Sequence, residues 1–396
     1  MIAPRNSRDH LVVLAAGGTG GHVFPAEALA QELLAQGYRL ALITDQRGTA
    51  YSGTLGMIET RHIAARGVAG QGVMGAAKAA FALTRGFFSA RHILRELRPA
   101  AVVGFGGYAA APTVAAATNL GIRTIIHEQN AVLGRANRLL ASRASRVCAS
   151  FELARRAPKG ANVVQTGMPV RPGIAAMRNA PYEAPTPGGP FKILILGGSQ
   201  GARVFSDVVP AAMAKLPEGL RQRVEISQQC RAEELDRTHV AYHDAGVHVT
   251  LKVFFDNVPE LMAGAHLLIS RSGASTVAEA AAIGRPTILV PYPYATDDHQ
   301  TANAQIVMAA GAGWMMRQPD FTPDALAQRI AQFAAAPYGL AGAAAAAANL
   351  GVPDAAKRLA DVVTSVIRGE NSARLDNAAS ASAPPINTNR MNRGIV

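Results

Sequence analysis

The stretch LVVLAAGGTGGH, residues 11 to 22, constrains this chain more than any other feature. A run that is apolar at every position has both faces buried, as a strand in a parallel sheet does. The run stops at Gly17, Gly18, Gly20 and Gly21, where the backbone is free to take positive φ and to approach another group closely. PAEALAQELLAQG, residues 25–37, then has helical periodicity and ends at glycine, so its positive N-terminal end points back at the turn. The same alternation continues in RLALITD (39–45), AAVVGF (100–105), RTIIHEQN (123–130) and RVCAS (146–150). Apolar strands separated by helices, with right-handed crossovers, predict an α/β doubly wound domain.

The pattern then starts again. APTPGGP (184–190) reads as a linker, and FKILIL (191–196) is a second strand followed by a glycine turn, GGSQGAR (197–203). VTLKVF (249–254), AHLLIS (265–270) and RPTILV (285–290) supply further strands. The fold class expected is therefore α/β with two doubly wound, Rossmann-like domains facing a cleft. The expected divisions are 1–172 and 173–349 for the two domains and 350–369 for a closing helix that packs back on the first domain. Residues 370–396 are rich in Asn, Ala, Ser and Pro, a composition too poor in large apolar residues to fold.

Charge narrows the class of partner. A net charge of +12 in 396 residues favours anionic partners: phosphorylated substrates, anionic lipid or nucleic acid. Nucleic acid is excluded, because aromatic content is only 5% and no zinc-finger or RNA-binding aromatic spacing occurs. Two separated cysteines, Cys148 and Cys230, fit neither a metal site nor a disulfide framework, which suits a reducing compartment. MIAPRNSRDH carries no signal-peptide pattern. Residues 99–122 are uncharged, but Gly104, Gly106, Gly107 and Pro112 divide them into strand, turn and buried helix rather than a membrane span. Residues 73–98 differ: Phe81, Leu83, Phe87, Phe88, Ile93 and Leu94 alternate with Lys78, Arg85, Arg91, Arg95 and Arg98. That segment is either a buried helix with a basic outer face or a surface that rests on anionic lipid.

Every polar motif falls at the carboxyl end of an expected strand, where doubly wound folds bind ligands. His22 follows the first glycine turn, either capping the helix or acting as a base. A dinucleotide fingerprint would need glycine at Val23, which weakens a nicotinamide reading, although Asp45 could meet a ribose. Ser199 and Arg203 belong to the second glycine turn, which is either a phosphate cradle or a packing turn. In SRSGASTVAEAAAIG (270–284), Thr276 and Glu279 have capping-box spacing, and Glu279 could also accept hydrogen bonds from a sugar diol. DDHQTANA (297–304) places His299 and Gln300 in or beside the cleft, and HEQN (127–130) is a polar strand end.

Taken together, GGTGGHVFPA, GFGGYAAAP, HEQNAVLGRAN, GGSQGAR and RSGASTVAEAAAIGRPTILVPYPYATDDHQTANA resemble, in order, the signatures of the MurG family over residues 10 to about 365. These are bacterial N-acetylglucosaminyltransferases of peptidoglycan synthesis. The resemblance implies a GT-B fold, UDP-N-acetylglucosamine as donor, and undecaprenyl-diphosphate-linked muramoyl pentapeptide (lipid I) as acceptor. It implies inverting transfer that makes lipid II, no cofactor, no tightly bound metal, and a peripheral position on the cytoplasmic face of the inner membrane. Anionic lipid would meet residues 73–98, and cell-wall synthesis proteins are candidate partners.

The resemblance also assigns residues. His22 would be the catalytic base. Thr19, Gly20 and Gly21 would line the donor diphosphate and sugar region, and Asn130, Arg171 and Ser199 match donor-binding positions. Phe255 would meet uracil through its backbone. Ala274, Ser275, Thr276, Val277, Ala278 and Glu279 would hold diphosphate and ribose, and Gln300 the N-acetylglucosamine hydroxyls. Tyr108, Glu128 and Asn137 fall on the acceptor side. The chain departs from the family at Met168, where asparagine is usual. Alternative readings are a glycosyltransferase for another lipid acceptor, a UDP-sugar epimerase, or a non-catalytic membrane scaffold of the same fold.

Overall fold

The structure is a computed structural model that describes residues 10–17, 20–45, 53–63, 73–153, 157–198 and 201–370. The tail expected to be disordered therefore lies, apart from Glu370, outside the described residues. Two parallel sheets form the framework. The first contains β1 (Leu11–Ala15), β2 (Arg39–Asp45), β3 (Glu59–Ile63), β4 (Ala101–Gly104), β5 (Arg123–Glu128), β6 (Arg146–Ala149) and β7 (Val163–Gln165), in the order β3-β2-β1-β4-β5-β6-β7. The second contains β8 (Phe191–Leu196), β9 (Val224–Gln229), β10 (His248–Lys252), β11 (Leu267–Ser270), β12 (Thr287–Leu289) and β13 (Gly313–Met315), in the order β10-β9-β8-β11-β12-β13. Strand order reverses between β1 and β4 in the first sheet and between β8 and β11 in the second. Crevices for ligands open at such reversals.

The strands are where the apolar runs predict them, with ends shifted by one or two residues. Val12, Val13 and Leu14 are all fully buried, as expected for a strand covered on both faces. The first helix differs from expectation. It runs Gly20–Ala35, not from Pro25, and Pro25 lies inside it. Pro25 is the sixth helical residue, past the four amides that lack an intrahelical acceptor, so its ring costs the bond to the Gly21 carbonyl. Gly20, Gly21 and His22 are consequently the first residues of a helix rather than parts of a free loop.

Residues 99–122 form β4, a glycine turn and the helix Gly107–Asn119, as expected. Gly106 and Gly107 have φ of 89° and 78°, and a Cβ on Gly107 would sit 2.8 Å from the Cα of Gly17. The turn after β4 thus packs backbone against backbone on the turn after β1. The helix Ala355–Arg368 joins the first half: Leu359, Val362, Val363 and Val366 share a core with Leu29, Leu33 and Tyr38. The Tyr38 hydroxyl adds a 3.1 Å hydrogen bond to Thr364.

Arg285 is the largest fully buried side chain, 1% exposed. Its guanidinium donates to the carbonyls of Ala263, Ile283 and Gly284 and, across the connecting segment, to those of Ala180 and Pro181. Five carbonyl acceptors and the Tyr182 ring, 5.5 Å away, surround one cation. Arg285→Ala would leave those carbonyls short of donors inside a cavity. It is expected to lower the unfolding free energy by about 3 kcal/mol, read from chemical denaturation.

Candidate active site

The two crevices face each other across a cleft of about 930 Å³. Gly20, Gly21 and His22 line it from the first helix, and Asn130 from the segment after β5. Phe255, Ala274, Ser275, Thr276, Glu279 and Gln300 line it from the second half. Eleven expected site residues therefore meet in one cavity once Arg171 is counted with these ten. Thr19 and Ser199 lie outside the described residues. Tyr108 is placed in the first turn of the helix Gly107–Asn119.

Several expectations need correction. The helix Ala274–Ile283 is capped by Gly273, with no side-chain capping bond, so Thr276 and Glu279 do not form a capping box. Thr276 is already the third helical residue. Glu279 is 6% exposed and is held by Arg171, whose Nε and Nη2 donate to its two carboxylate oxygens at 2.7 and 2.8 Å. This fork-to-fork pair joins the two halves and takes up the cation expected to face a diphosphate. The Arg171 guanidinium also lies 5.2 Å from the centre of the Phe24 ring. Val277 and Ala278 are buried in a hydrophobic core shared by the two halves and do not line the cleft.

Glu128 and Asn137 are tied up with each other. The Glu128 carboxylate is buried and accepts from the backbone of Asn130 and Gly134 and from Asn137 Nδ2 at 2.8 Å. Their shared work is to shape the segment 130–137, which carries Asn130 to the cleft. Gln300 accepts from the Tyr292 amide at 2.9 Å, which orients its side chain at the cleft wall. Phe255 is buried with Lys252 Nζ 5.8 Å from its ring centre. Met168 is buried too, and its sulfur accepts from the Ser150 hydroxyl at 3.4 Å.

His22 sits at the bottom of the first crevice. A Cβ on Gly106 would come within 3.0 Å of its ring, so the bare turn after β4 is what admits the imidazole. Burial lowers its pKa from 6.5, opposed by the Phe105 carbonyl, the Glu128 charge and the Gln129 side chain. The ring is thus neutral at pH 7 and able to accept a proton. Behind it His127 is fully buried, and burial pushes its pKa down to about 4.

Three contributors to the site lie inside the quoted motifs but were not themselves given a role. Arg271, just after β11, donates to the Val290 and Pro291 carbonyls and to Gln318, and places its cation 5.4 Å from the Tyr292 ring. Gln129 contacts both histidines. Asn303, fully buried, bridges the halves: it donates to Asn130 Oδ1 and the Ser272 carbonyl and accepts from the Ala131 amide at 2.9 Å. At the cleft rim Arg135 pairs with Asp297 at 3.0 Å, and Asp297 has a φ of 52°.

Two doubly wound domains with glycine turns and helix N-termini facing a shared cleft make up the GT-B architecture of glycosyltransferases. Family matches agree: the glycosyltransferase family 28 N-terminal domain covers residues 12–149 and the C-terminal domain covers 192–359. A relative from Paramagnetospirillum magneticum is 56% identical over 93% of this chain and 100% of its own length. One from Rhodospirillum rubrum is 54% identical over 89% of this chain and 91% of its own. Both are named UDP-N-acetylglucosamine--N-acetylmuramyl-(pentapeptide) pyrophosphoryl-undecaprenol N-acetylglucosamine transferase. The crystal structure of Acinetobacter baumannii MurG is 32% identical, with a TM-score of 0.72, covering 90% of this chain and 99% of that one. The chain belongs to glycosyltransferase family 28 and, within it, to the MurG transferases.

Asn303→Ala removes the buried link between the halves and strands the Ala131 amide. A loss of about 2 kcal/mol in unfolding free energy is expected from chemical denaturation. Unchanged denaturation would mean that the Arg171–Glu279 and Arg135–Asp297 pairs hold the halves without it.

Proposed function

We infer that the chain transfers N-acetylglucosamine from UDP-N-acetylglucosamine to the muramoyl 4-hydroxyl of lipid I, with inversion, to give lipid II. The observation that carries the mechanism is the position of His22. A neutral imidazole lies on one wall of the cleft, and the N-terminus of the helix Ala274–Ile283 lies on the other. Inverting displacement needs an acceptor oxygen, the anomeric carbon and the departing diphosphate in line, with the acceptor proton removed on one side and negative charge received on the other.

His22 takes the acceptor proton as the new C–O bond forms. The bond to UDP breaks, and its electron pair leaves with the diphosphate. The free backbone amides at Ala274, Ser275 and Thr276 face that charge from a helix N-terminus, which suits an anion. Glu279 accepts the ribose hydroxyls and Gln300 contacts the sugar. Arg171, beside both, turns from Glu279 towards the diphosphate when donor enters, since a dianionic group offers it more charge than one carboxylate does.

The acceptor has a long lipid, so the enzyme works at a membrane surface. No single helix among the described residues is long and apolar enough to cross a bilayer. The helix Val73–Leu97 supports peripheral attachment at the cytoplasmic face. Its inner side packs Ala90, Ile93 and Leu94 into the first half, while Phe81 and Phe88 are 69% and 63% exposed. Phe81, Arg85, Phe88, His92 and Arg95 follow helical spacing along one exposed stripe, which pairs apolar area with positive charge.

His22→Ala is expected to lower kcat by about 100- to 10,000-fold with little change in the donor KM, measured with labelled UDP-N-acetylglucosamine and a lipid I analogue. The acid limb of the wild-type kcat profile should lie below pH 6.5, because turnover is lost as pH falls through the lowered pKa of His22. A His22→Ala enzyme within about tenfold of wild type would place the base elsewhere.

Replacing Phe81 and Phe88 with serine and Arg85 and Arg95 with glutamine tests the membrane surface. Each cation contributes about 1 kcal/mol near an anionic bilayer. The variant should leave anionic vesicles in co-sedimentation at moderate salt, with turnover of a water-soluble acceptor retained. Undiminished co-sedimentation would move the contact to another face.

A further inference from the structure

Two carbonyl groups fix the direction of a hydrogen-bond chain behind His22. The Gly167 carbonyl lies 3.3 Å from His127 Nε2. A carbonyl only accepts, so Nε2 carries the proton and Nδ1 of His127 is a bare lone pair. The Phe105 carbonyl lies 2.6 Å from the Gln129 side-chain nitrogen, and the same nitrogen is 3.3 Å from His127 Nδ1. Both amide hydrogens of Gln129 are thus committed, one to each acceptor. The amide cannot be turned over, because its oxygen would then face a carbonyl oxygen and a bare nitrogen.

The Gln129 oxygen is left facing His22. It and His22 Nδ1 approach the same point above Gly106, to 3.7 and 3.1 Å of where a Cβ would stand. Nδ1 of His22 is buried and no described residue completes a hydrogen bond to it, while the residue itself lines the cleft. The polar groups turned to Nδ1 are therefore the Gln129 oxygen and the Phe105 carbonyl, and both are acceptors. Catalytic hydrogen bonds of this kind are often long until substrate is bound.

We propose that Gln129 is a positioning residue for the transfer reaction: its side-chain oxygen accepts a hydrogen bond from His22 Nδ1–H, leaving Nε2 bare and turned towards the acceptor hydroxyl. The proposal rests on His22 as the base. The acceptor proton moves to Nε2, the imidazolium then carries a proton on each nitrogen, and the Gln129 oxygen stabilises the one on Nδ1. The titratable groups facing His22 are Glu128 and His127, both on β5. A neutral amide orients the ring without adding a second negative charge beside Glu128. That keeps the imidazole unprotonated, and so usable, at pH 7.

Long-range proton–nitrogen NMR of the full chain reads the tautomer directly, with the His22 signals identified by their loss in His22→Gln. At neutral pH the wild-type ring should carry its proton on Nδ1. An Nε2–H tautomer in the wild-type protein would overturn the proposal, and that measurement needs no variant at Gln129. Gln129→Leu should mix the two tautomers and lower kcat by at least about tenfold, with the donor KM within about twofold. Gln129→Glu should move the acid limb of kcat to higher pH, since a carboxylate there holds the imidazolium and the base is lost sooner on acidification. A single Nδ1–H tautomer and wild-type kcat in Gln129→Leu would assign the orientation to the Phe105 carbonyl alone. Retained turnover in His22→Ala would instead remove the base reading itself, so the two failures are distinguishable.

Discussion

The structure depends on a contact between stretches of bare backbone. The turn after β4 passes the turn after β1 with Gly107 against Gly17, closer than any side chain permits. That approach leaves a slot at the strand-order reversal just wide enough for one imidazole edge-on, beside Gly106. With a methyl group at either glycine, the ring and the turn would compete for the same space. The base, the polar groups behind it and the start of the first helix all take their positions from this contact.

The second half answers with a different device. There the helix Ala274–Ile283 brings unpaired amides to the cleft, and its buried flank packs Val277 and Ala280 into the core. The two halves share an apolar core, in which Val132, Met168 and Val170 join Leu194, Leu268 and Val277, and are linked beside it by polar groups: a forked ion pair, an asparagine bridge and a rim ion pair. Polar contacts of this kind are directional and exchangeable with a charged ligand, whereas a packed apolar seam is not. Polar links at the cleft, beside that apolar core, suit a site that must admit and release a nucleotide sugar.

Much of this was legible in the sequence wherever one local property sufficed. Strands buried on both faces carry apolar runs, so β1, β4, β8 and β11 stand out. The strand β3, ETRHI, does not, because most of its residues are exposed at a sheet edge, and β7 and β13 are only three residues long. The start of the first helix was misplaced because glycine is a poor helix former and Pro25 resembles a first-turn residue; packing against the turn after β4 overrides both preferences. Glu279 misled for a similar reason. Its spacing from Thr276 matches a capping box, but its partner Arg171 lies 108 residues away. Gln129 and Asn303 had no legible role, since what they join is set only by the fold.

Gly167 lies where the chain leaves the first half, and a Cβ there would collide with Val352, which lies where the chain returns. The outgoing and returning segments are therefore in contact there. Arg285 clamps the outgoing segment again at Ala180 and Pro181, so little slack remains beyond that place. The two crossings are thus bound together, so neither connection can shift without carrying the other with it.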